Sequence, residues 1–435
     1  MGDTDWPSDD APLYAGADRD YHANTDLLRR LRDVSRSIEM TIDGISIRTG
    51  YFFYLHMKLY RRTSAQGGHA GSSGITALRR ELRNALKPKP LPAGQSGDLR
   101  LDHPVDLYES PAGIWNKNIG IQCQSVVLAT PAMPAFVPDE SAQISQAISL
   151  APLLHPSSYR WGVAIYDALM SANLPISRLG FWRNHLTYLS RLAGFSARFG
   201  KLFDANSFET VHFCRFADVN MQGMLLAARR RGLNAIEYQH GVLSGAHPAV
   251  ALLDATMPGT VPDKLAIAES IYQGINYGNA KVELISGDAT GGTIGETAGA
   301  SRGILIAMQP RFADDATVLA LRMSEDFPHL EFTLRSHPRA VVRAERLPEV
   351  IARKNLSYER AEDIESSLSL RDRDGVITGS STMGLSAAVR GIPSLFAHQE
   401  GYDQARELVT ANAHLVSHAQ TYTQIRDWLR TIRSQ

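Results

Sequence analysis

Gly379-Ser380-Ser381-Thr382 is the stretch of this chain whose residue types and spacing point most directly to chemistry. It follows an apolar run, Val376 to Thr378, that reads as a buried strand, and it opens a short helix rich in small residues. A glycine-led turn at a helix start points several backbone N–H groups and three hydroxyls outward at the positive end of the helix dipole. Such a place suits an anion, most often a phosphate. One serine there would be an ordinary helix cap, but three hydroxyls behind Gly379 exceed what capping needs. Gly384 and Ala387-Ala388 allow the helix to lie close to its sheet, and a further strand follows Gly391-Ile392-Pro393.

Ligands of open α/β sheets bind beyond the carboxyl ends of the strands, so the residues after each predicted strand come next. The first strand of the C-terminal block runs into Gln309-Pro310-Arg311 and the second into Arg335-Ser336-His337-Pro338-Arg339. Arginine offers a planar fork to phosphate oxygens and an imidazole N–H adds one directed donor. Arg311, Arg335, His337 and Arg339 therefore read as the cationic complement of the hydroxyl turn. His-Pro pairs also occur at 103, 155 and 247, but only His337 follows a predicted strand between arginines. The plain alternative is a pair of solvated arginines beside a loop histidine. Glu400, after the last of these strands, suits the two hydroxyls of a nucleotide ribose or else is a surface glutamate.

In the preceding block, the strand at 235–239 ends in His240-Gly241. Glycine permits a left-handed turn that presents the imidazole, which could take a proton from an acceptor hydroxyl or donate to a phosphate. Glu237 lies three residues earlier on the same strand and could orient His240 if the strand bends; His247 and Asp254 are weaker candidates. A histidine bonded within the core is the alternative for His240. No Asp-x-Asp sits at a predicted strand end, so no metal site is expected, and the P-loop, His-Glu-x-x-His and Gly-x-Ser-x-Gly motifs are missing.

Around these residues the chain is organised as two strand–helix blocks. Residues 1–22 are acidic and poor in apolar side chains and read as disordered; 23–110 read as a helical N-terminal extension. Residues 111–286 carry strands at 125–129, 210–214, 234–239, 264–268 and 281–285, and 303–435 carry strands at 303–308, 330–335, 356–358, 375–378 and 394–397. The Gly/Thr/Ala-rich stretch 287–302 separates them as a linker. Strand–helix alternation implies parallel sheets, hence an α/β protein of two facing Rossmann-like domains; the resemblance given below implies that the first serves an acceptor and the second a donor.

Composition narrows the partners. In 435 residues Lys+Arg and Asp+Glu are both 45, so a nucleic-acid partner is not expected. Cys123 and Cys214 lie in apolar runs and read as reduced core residues of a cytoplasmic protein, and the acidic start carries no signal-peptide pattern. The segment 50–62 is aromatic and ends in Arg61-Arg62. It reads either as a buried helix with a basic end or as a peripheral membrane contact.

Tyr238-Gln-His-Gly241, Arg335-Ser-His-Pro338 and Gly379-Ser-Ser-Thr-Met-Gly384 with its Gly391-Ile-Pro393 tail resemble motifs of bacterial envelope-polysaccharide glycosyltransferases of the GT-B fold. Their order is similar to that in capsule and lipopolysaccharide proteins, including Kdo- and sialic-acid-transferring ones, and in CDP-glycerol phosphotransferases; the last motif is also similar to UDP-N-acetylglucosamine 2-epimerases. The resemblance covers about 235–400. It implies a metal-independent transferase that uses a CMP-, UDP- or similar sugar as substrate, needs no cofactor, and serves a surface polysaccharide or lipid-linked acceptor at the inner face of the membrane. It implies that His337, Ser380 and Ser381 contact donor phosphate and that His240 lies near the reaction centre. The chain departs from these families in lacking an acidic Asp/Glu-x-Gly motif and in having valine after His240-Gly241. An epimerase or hydrolase, a polyol-phosphate transferase and a non-catalytic nucleotide-sugar-binding partner are the rival expectations.

Overall fold

A computed structural model describes residues 8–13, 15–63, 96–102, 126–129, 142–143, 148–213, 216–239, 244–253 except 246, 259–267, 272–284 except 273, and 302–432 except 338, 339 and 365. The chain divides into two compact units, Ala23–Gly287 and a second made of Asp288–Gln435 together with Met1–His22.

The first unit opens with helix α1 (Ala15–Arg36), which begins in the other unit, a hairpin of β1 (Thr41–Ile42) and β2 (Ile45–Ser46), and α2 (Arg48–Thr63). Then come β3 (Ser96–Asp102), β4 (Val126–Ala129), β5 (Ala142–Gln143), α3 (Ala151–Leu154), α4 (Pro156–Ser171), α5 (Arg178–Asp204), β6 (Ser207–Phe213), α6 (Val219–Arg229), β7 (Asn234–Tyr238), α7 (Pro248–Ala251), β8 (Lys264–Ile267) and β9 (Lys281–Leu284). Seven parallel strands pair in the order β5-β4-β3-β6-β7-β8-β9.

Of the segment 23–110 expected as a helical extension, α1 and α2 belong to the core of this unit, and Ser96–Asp102 is not helical but the strand β3 in the middle of its sheet. Leu27, Leu31 and Val34 of α1 and Tyr51, Phe52, Leu55 and Leu59 of α2 are buried with Phe181, Tyr188 and Leu192 of α5. Of the two readings of residues 50–62, the described side chains fit the buried helix, because the apolar face of α2 is spent on α1 and α5. Cys123 and Cys214 lie outside the described residues.

The second unit contains β10 (Ile304–Ala307), α8 (Ala313–Asp326), β11 (Phe332–Arg335), α9 (Leu347–Ala352), β12 (Leu356–Glu359), α10 (Ser366–Ser369), β13 (Gly375–Thr378), α11 (Thr382–Val389), β14 (Ser394–Phe396), α12 (Gln399–Leu408), β15 (Val416–His418) and α13 (Tyr422–Ile432). Six parallel strands pair in the order β12-β11-β10-β13-β14-β15. All residues of β10, β11 and β13 are buried, as a sheet covered on both faces requires. The chain is thus an α/β protein of two Rossmann-like parallel-sheet units, and in both sheets the strand order reverses once, between β3 and β6 and between β10 and β13.

Residues 8–22 correct the expectation of a disordered start. Leu13 packs against the core of the second unit and its N–H donates to the Gln420 carbonyl at 2.6 Å. Asp9 pairs with Arg322 and, at 2.9 Å, with Arg426. Low apolar content misled the sequence reading because acidic residues here find fixed cationic partners instead of water.

Candidate functional site

In a sheet of this order the crevice for a ligand lies where strand order reverses, outside the carboxyl ends of the central strands. In the second unit these are β10 and β13, paired with Ala307 opposite Thr378. β10 leads into Gln309 and a 3-10 turn, Pro310–Phe312; β13 leads into Gly379-Ser380-Ser381. The Ser380 N–H donates to Gln309 Oε1 at 2.6 Å, and the Ser380 hydroxyl lies 3.2 Å from the same oxygen. Gln309 and Arg311 follow the same strand, and it is Gln309 that engages the turn. The backbone of Arg311 lies in the 3-10 turn, and its side chain lies outside the described set.

Packing explains the glycine. A Cβ on Gly379 would lie 2.7 Å from the Phe312 ring and 2.9 Å from Gln309 Oε1. A Cβ on Gly401, in the first turn of α12, would lie 2.3 Å from the Gly379 carbonyl oxygen. The starts of α11 and α12 therefore meet at this turn. Ser381 is the N-cap of α11, with φ −78° and ψ 145°, and its Oγ accepts from the Met383 N–H at 3.2 Å. The Ser381 N–H donates to Thr378 Oγ1 at 3.2 Å. Ser380 and Ser381 are half-buried and Thr382 is exposed. Ala387 and Ala388 are fully buried, as close packing of α11 on its sheet requires.

At the end of β14, His398 is fully buried. Its Nε2 lies 3.3 Å from Asp18 Oδ1, and that oxygen also accepts the Gln399 N–H, the first amide of α12, at 3.0 Å. The His398 ring packs against Phe312 at 5.0 Å. Glu400, half-buried in the first turn of α12, has Oε2 3.9 Å from His398 Nδ1 and Oε1 3.5 Å from Gln404 Nε2. Asp18 carried no signal in the sequence: its partners are some 380 residues away.

Arg335 departs from its expected role. Its guanidinium is buried, ion-paired to Glu359, and bonded to the carbonyls of Ala361 at 3.4 Å and Ile364 at 2.7 Å. Arg335 and Glu359 face each other in the parallel register of β11 and β12, so the cation is consumed inside the sheet. Arg373 also reaches Glu359, at 3.6 Å. Burial, then the Arg302 charge, lowers its pKa to about 10, against the pull of Glu359. His337 remains at the strand end, half-buried, in a tight turn whose backbone bonds with Ala340 are 3.0 and 2.9 Å. Arg339 lies outside the described residues.

In the first unit, β7 ends at Tyr238; His240, Gly241 and Asp254 lie outside the described residues. Glu237 is buried, and both its oxygens are engaged: Oε1 accepts the Phe216 N–H at 3.1 Å and Oε2 the Tyr277 hydroxyl at 2.7 Å. That is the arrangement of a carboxylate tying two loops to the sheet. His247 caps the single turn α7 and its N–H donates to the Ser244 carbonyl at 2.9 Å. No group of three or more His, Cys, Asp or Glu among the described residues could hold a metal ion, and no described helix is long and apolar enough to cross a membrane.

No family profile and no curated protein matches the chain. Solved structures similar to it include MurG from Acinetobacter baumannii, at 11% identity over 78% of this chain and 90% of that one, with a TM-score of 0.44. UDP-GlcNAc 2-epimerase from Neisseria meningitidis bound to UDP-GlcNAc is similar at 8% identity over 78% and 91%, with a TM-score of 0.42. Phytolacca americana UGT2 complexed with UDP-2-fluoro-glucose and pterostilbene is similar at 10% identity over 78% and 89%, with a TM-score of 0.44.

Proposed function

We propose that the protein is a GT-B-type glycosyltransferase that moves a sugar from a nucleotide-activated donor to a bacterial surface polysaccharide or lipid-linked glycan. One observation carries the reading: the Gly379-Ser380-Ser381 turn sits at the strand-order reversal of the second sheet, at the start of α11 and against the start of α12. The motif order His240-Gly241, His337-Pro338, Ser380-Ser381 supports the transferase class.

In this reading the donor's phosphates lie over the turn. As the bond between the anomeric carbon and the phosphate oxygen breaks, its electron pair goes to that oxygen. The hydroxyls of Ser380, Ser381 and Thr382, the imidazole of His337 and the end of α11 stabilise the growing charge, with Arg311 and Arg339 as further cations and no divalent ion. The acceptor hydroxyl bonds to the anomeric carbon and gives its proton to His240. Glu400 accepts from the ribose hydroxyls. Arg335 holds the end of β11 without touching the donor.

A thermal-shift panel of CMP, CDP, UDP and GDP tests this, because a ligand at a hundredfold its dissociation constant stabilises by about 2.7 kcal/mol. Ser381→Gly keeps most of the cap, at a cost of a few tenths of a kcal/mol, and removes the hydroxyl. It and His337→Ala should shrink the nucleotide-induced shift at an unchanged apo melting point. Equal shifts in wild type and both variants would refute the site. Conversion or cleavage of the nucleotide-sugar with no acceptor present would instead mark an epimerase or hydrolase.

A further inference from the structure

Six of the ten exposed large apolar side chains in the described residues fall in one short stretch of the first unit: Leu150, Leu154, Tyr159, Val163, Met170 and Leu179, from 45 to 85% exposed. Scattered single exposures are normal on a soluble surface, whereas a cluster is not. Three of these residues are also neighbours in space. Tyr159, Val163 and Met170 share one face of α4, since positions i, i+4 and i+11 fall within a narrow arc of a 3.6-residue helix. The opposite side of α4 is spent: Ile165 and Leu169 are buried, and Gly162 leaves room for the Trp182 ring of α5, which a Cβ would approach to 2.4 Å. The Tyr159 ring lies 6.0 Å from Trp182, one turn along α5 from Leu179.

Charge along this stretch is predominantly positive, the exposed Asp167 between Val163 and Met170 being its exception. From 148 to 203 the chain has one carboxylate, Asp167, against Arg160, Arg178, Arg183, Arg191, Arg198 and Lys201, although the whole chain is neutral. Arg160, Arg178 and Arg183 are exposed. Protruding leucines, a tyrosine and a tryptophan ringed by arginines have the composition of an interfacial membrane contact. A second copy of the chain suits it less well, because a two-fold dimer through this face would set the same basic residues against each other. Leu154 and Leu179, 85 and 83% exposed, stand out from the surface, which a fluid bilayer accommodates without a complementary groove.

We infer that the α3–α4 surface and the start of α5 dock the protein on an anionic phospholipid membrane, the leucines entering the headgroup region and the arginines pairing with lipid phosphates. This contact replaces residues 50–62 as the membrane-facing element. It is independent of the catalytic reading, since binding is measured with no nucleotide present.

The experiment is co-sedimentation of the full chain with phosphatidylcholine vesicles with and without phosphatidylglycerol. Wild type should pellet with the anionic vesicles and be released by high salt. The double variant Leu154→Glu/Leu179→Glu should lose at least about tenfold in binding, and Arg178→Ala/Arg183→Ala on the order of twentyfold, about fivefold per arginine. Melting points should match wild type, because all four side chains are exposed. No binding to anionic vesicles overturns the inference, as does undiminished binding of the leucine variant. Concentration-dependent dimers in light scattering that Leu179→Glu dissolves, with vesicles ignored, would assign the face to a second copy instead.

Discussion

Gln309 Oε1 takes the Ser380 N–H at 2.6 Å across the two central strands of the second sheet. One amide of the glycine turn is thus already held by a side chain from the neighbouring strand end. Gln309→Glu separates the two roles: the carboxylate still accepts the N–H, and a negative charge near the start of α11 contributes about 0.3–1 kcal/mol. We expect an apo melting point equal to or slightly above wild type, with the nucleotide-induced shift lost to like-charge repulsion. Calorimetry with and without UDP reads both. A wild-type UDP shift in Gln309→Glu would place the phosphates elsewhere.

The strap formed by residues 8–22 gives a second prediction. Leu13 packs against the core, the Thr423 N–H donates to the Asp9 carbonyl at 3.1 Å, and Arg322 lies over the Tyr422 ring at 3.9 Å while pairing with Asp9. Deleting residues 1–14 should therefore destabilise the second unit by roughly 2 kcal/mol, from one partly buried leucine, the Asp9 ion pairs and the hydrogen bonds of the segment. It should also speed amide exchange over 416–426. Asp18→Ala alone should cost about 1 kcal/mol as the lost partner of the Gln399 N–H. A dispensable tail would leave both the melting point and the exchange unchanged.

Glu237 is tested by its partners. Tyr277→Phe removes the donor to Oε2 of a buried carboxylate, at a cost of about 1–3 kcal/mol. Glu237→Gln puts an N–H2 where an acceptor is needed and should lower the apo melting point similarly. His240→Ala should instead abolish turnover with little effect on stability. If Glu237→Gln stops turnover at an unchanged melting point, the carboxylate belongs to the chemistry after all.

These residues also show what a linear reading reaches. β10, β13 and the glycine turn were legible because burial on both faces forces continuous apolar runs and close approach forces small residues. Arg335 was not, since only the β11–β12 register sets Glu359 beside it and turns a cation that could face a ligand into an internal strut. Asp18 and His398 are joined by tertiary packing alone. Closeness in sequence sets Glu237 beside His240 but cannot reveal Tyr277, which arrives from another loop.

His56 sets the acid limit of the first unit. It is 1% exposed, its Nε2–H donates to Asn24 Oδ1 at 2.7 Å, and its ring stacks on Tyr60 with centroids 6.0 Å apart. Burial, with a smaller push from His247, lowers its pKa from 6.5 to about 4. Burial also lowers that of His185, against the pull of the Ser158 carbonyl. Between about pH 4 and 6.5 the unfolded chain therefore binds a proton at His56 that the folded chain refuses, so stability is full above that window and falls as pH drops through it. The loss from His56 between about pH 7.5 and pH 5 should be roughly 2 kcal/mol, at 1.36 kcal/mol per pKa unit. Urea midpoints across this range should fall for wild type and much less for His56→Gln, whose amide can still donate to Asn24 and takes no proton. An acid slope identical in both would move the sensitivity to other buried groups, His185 first.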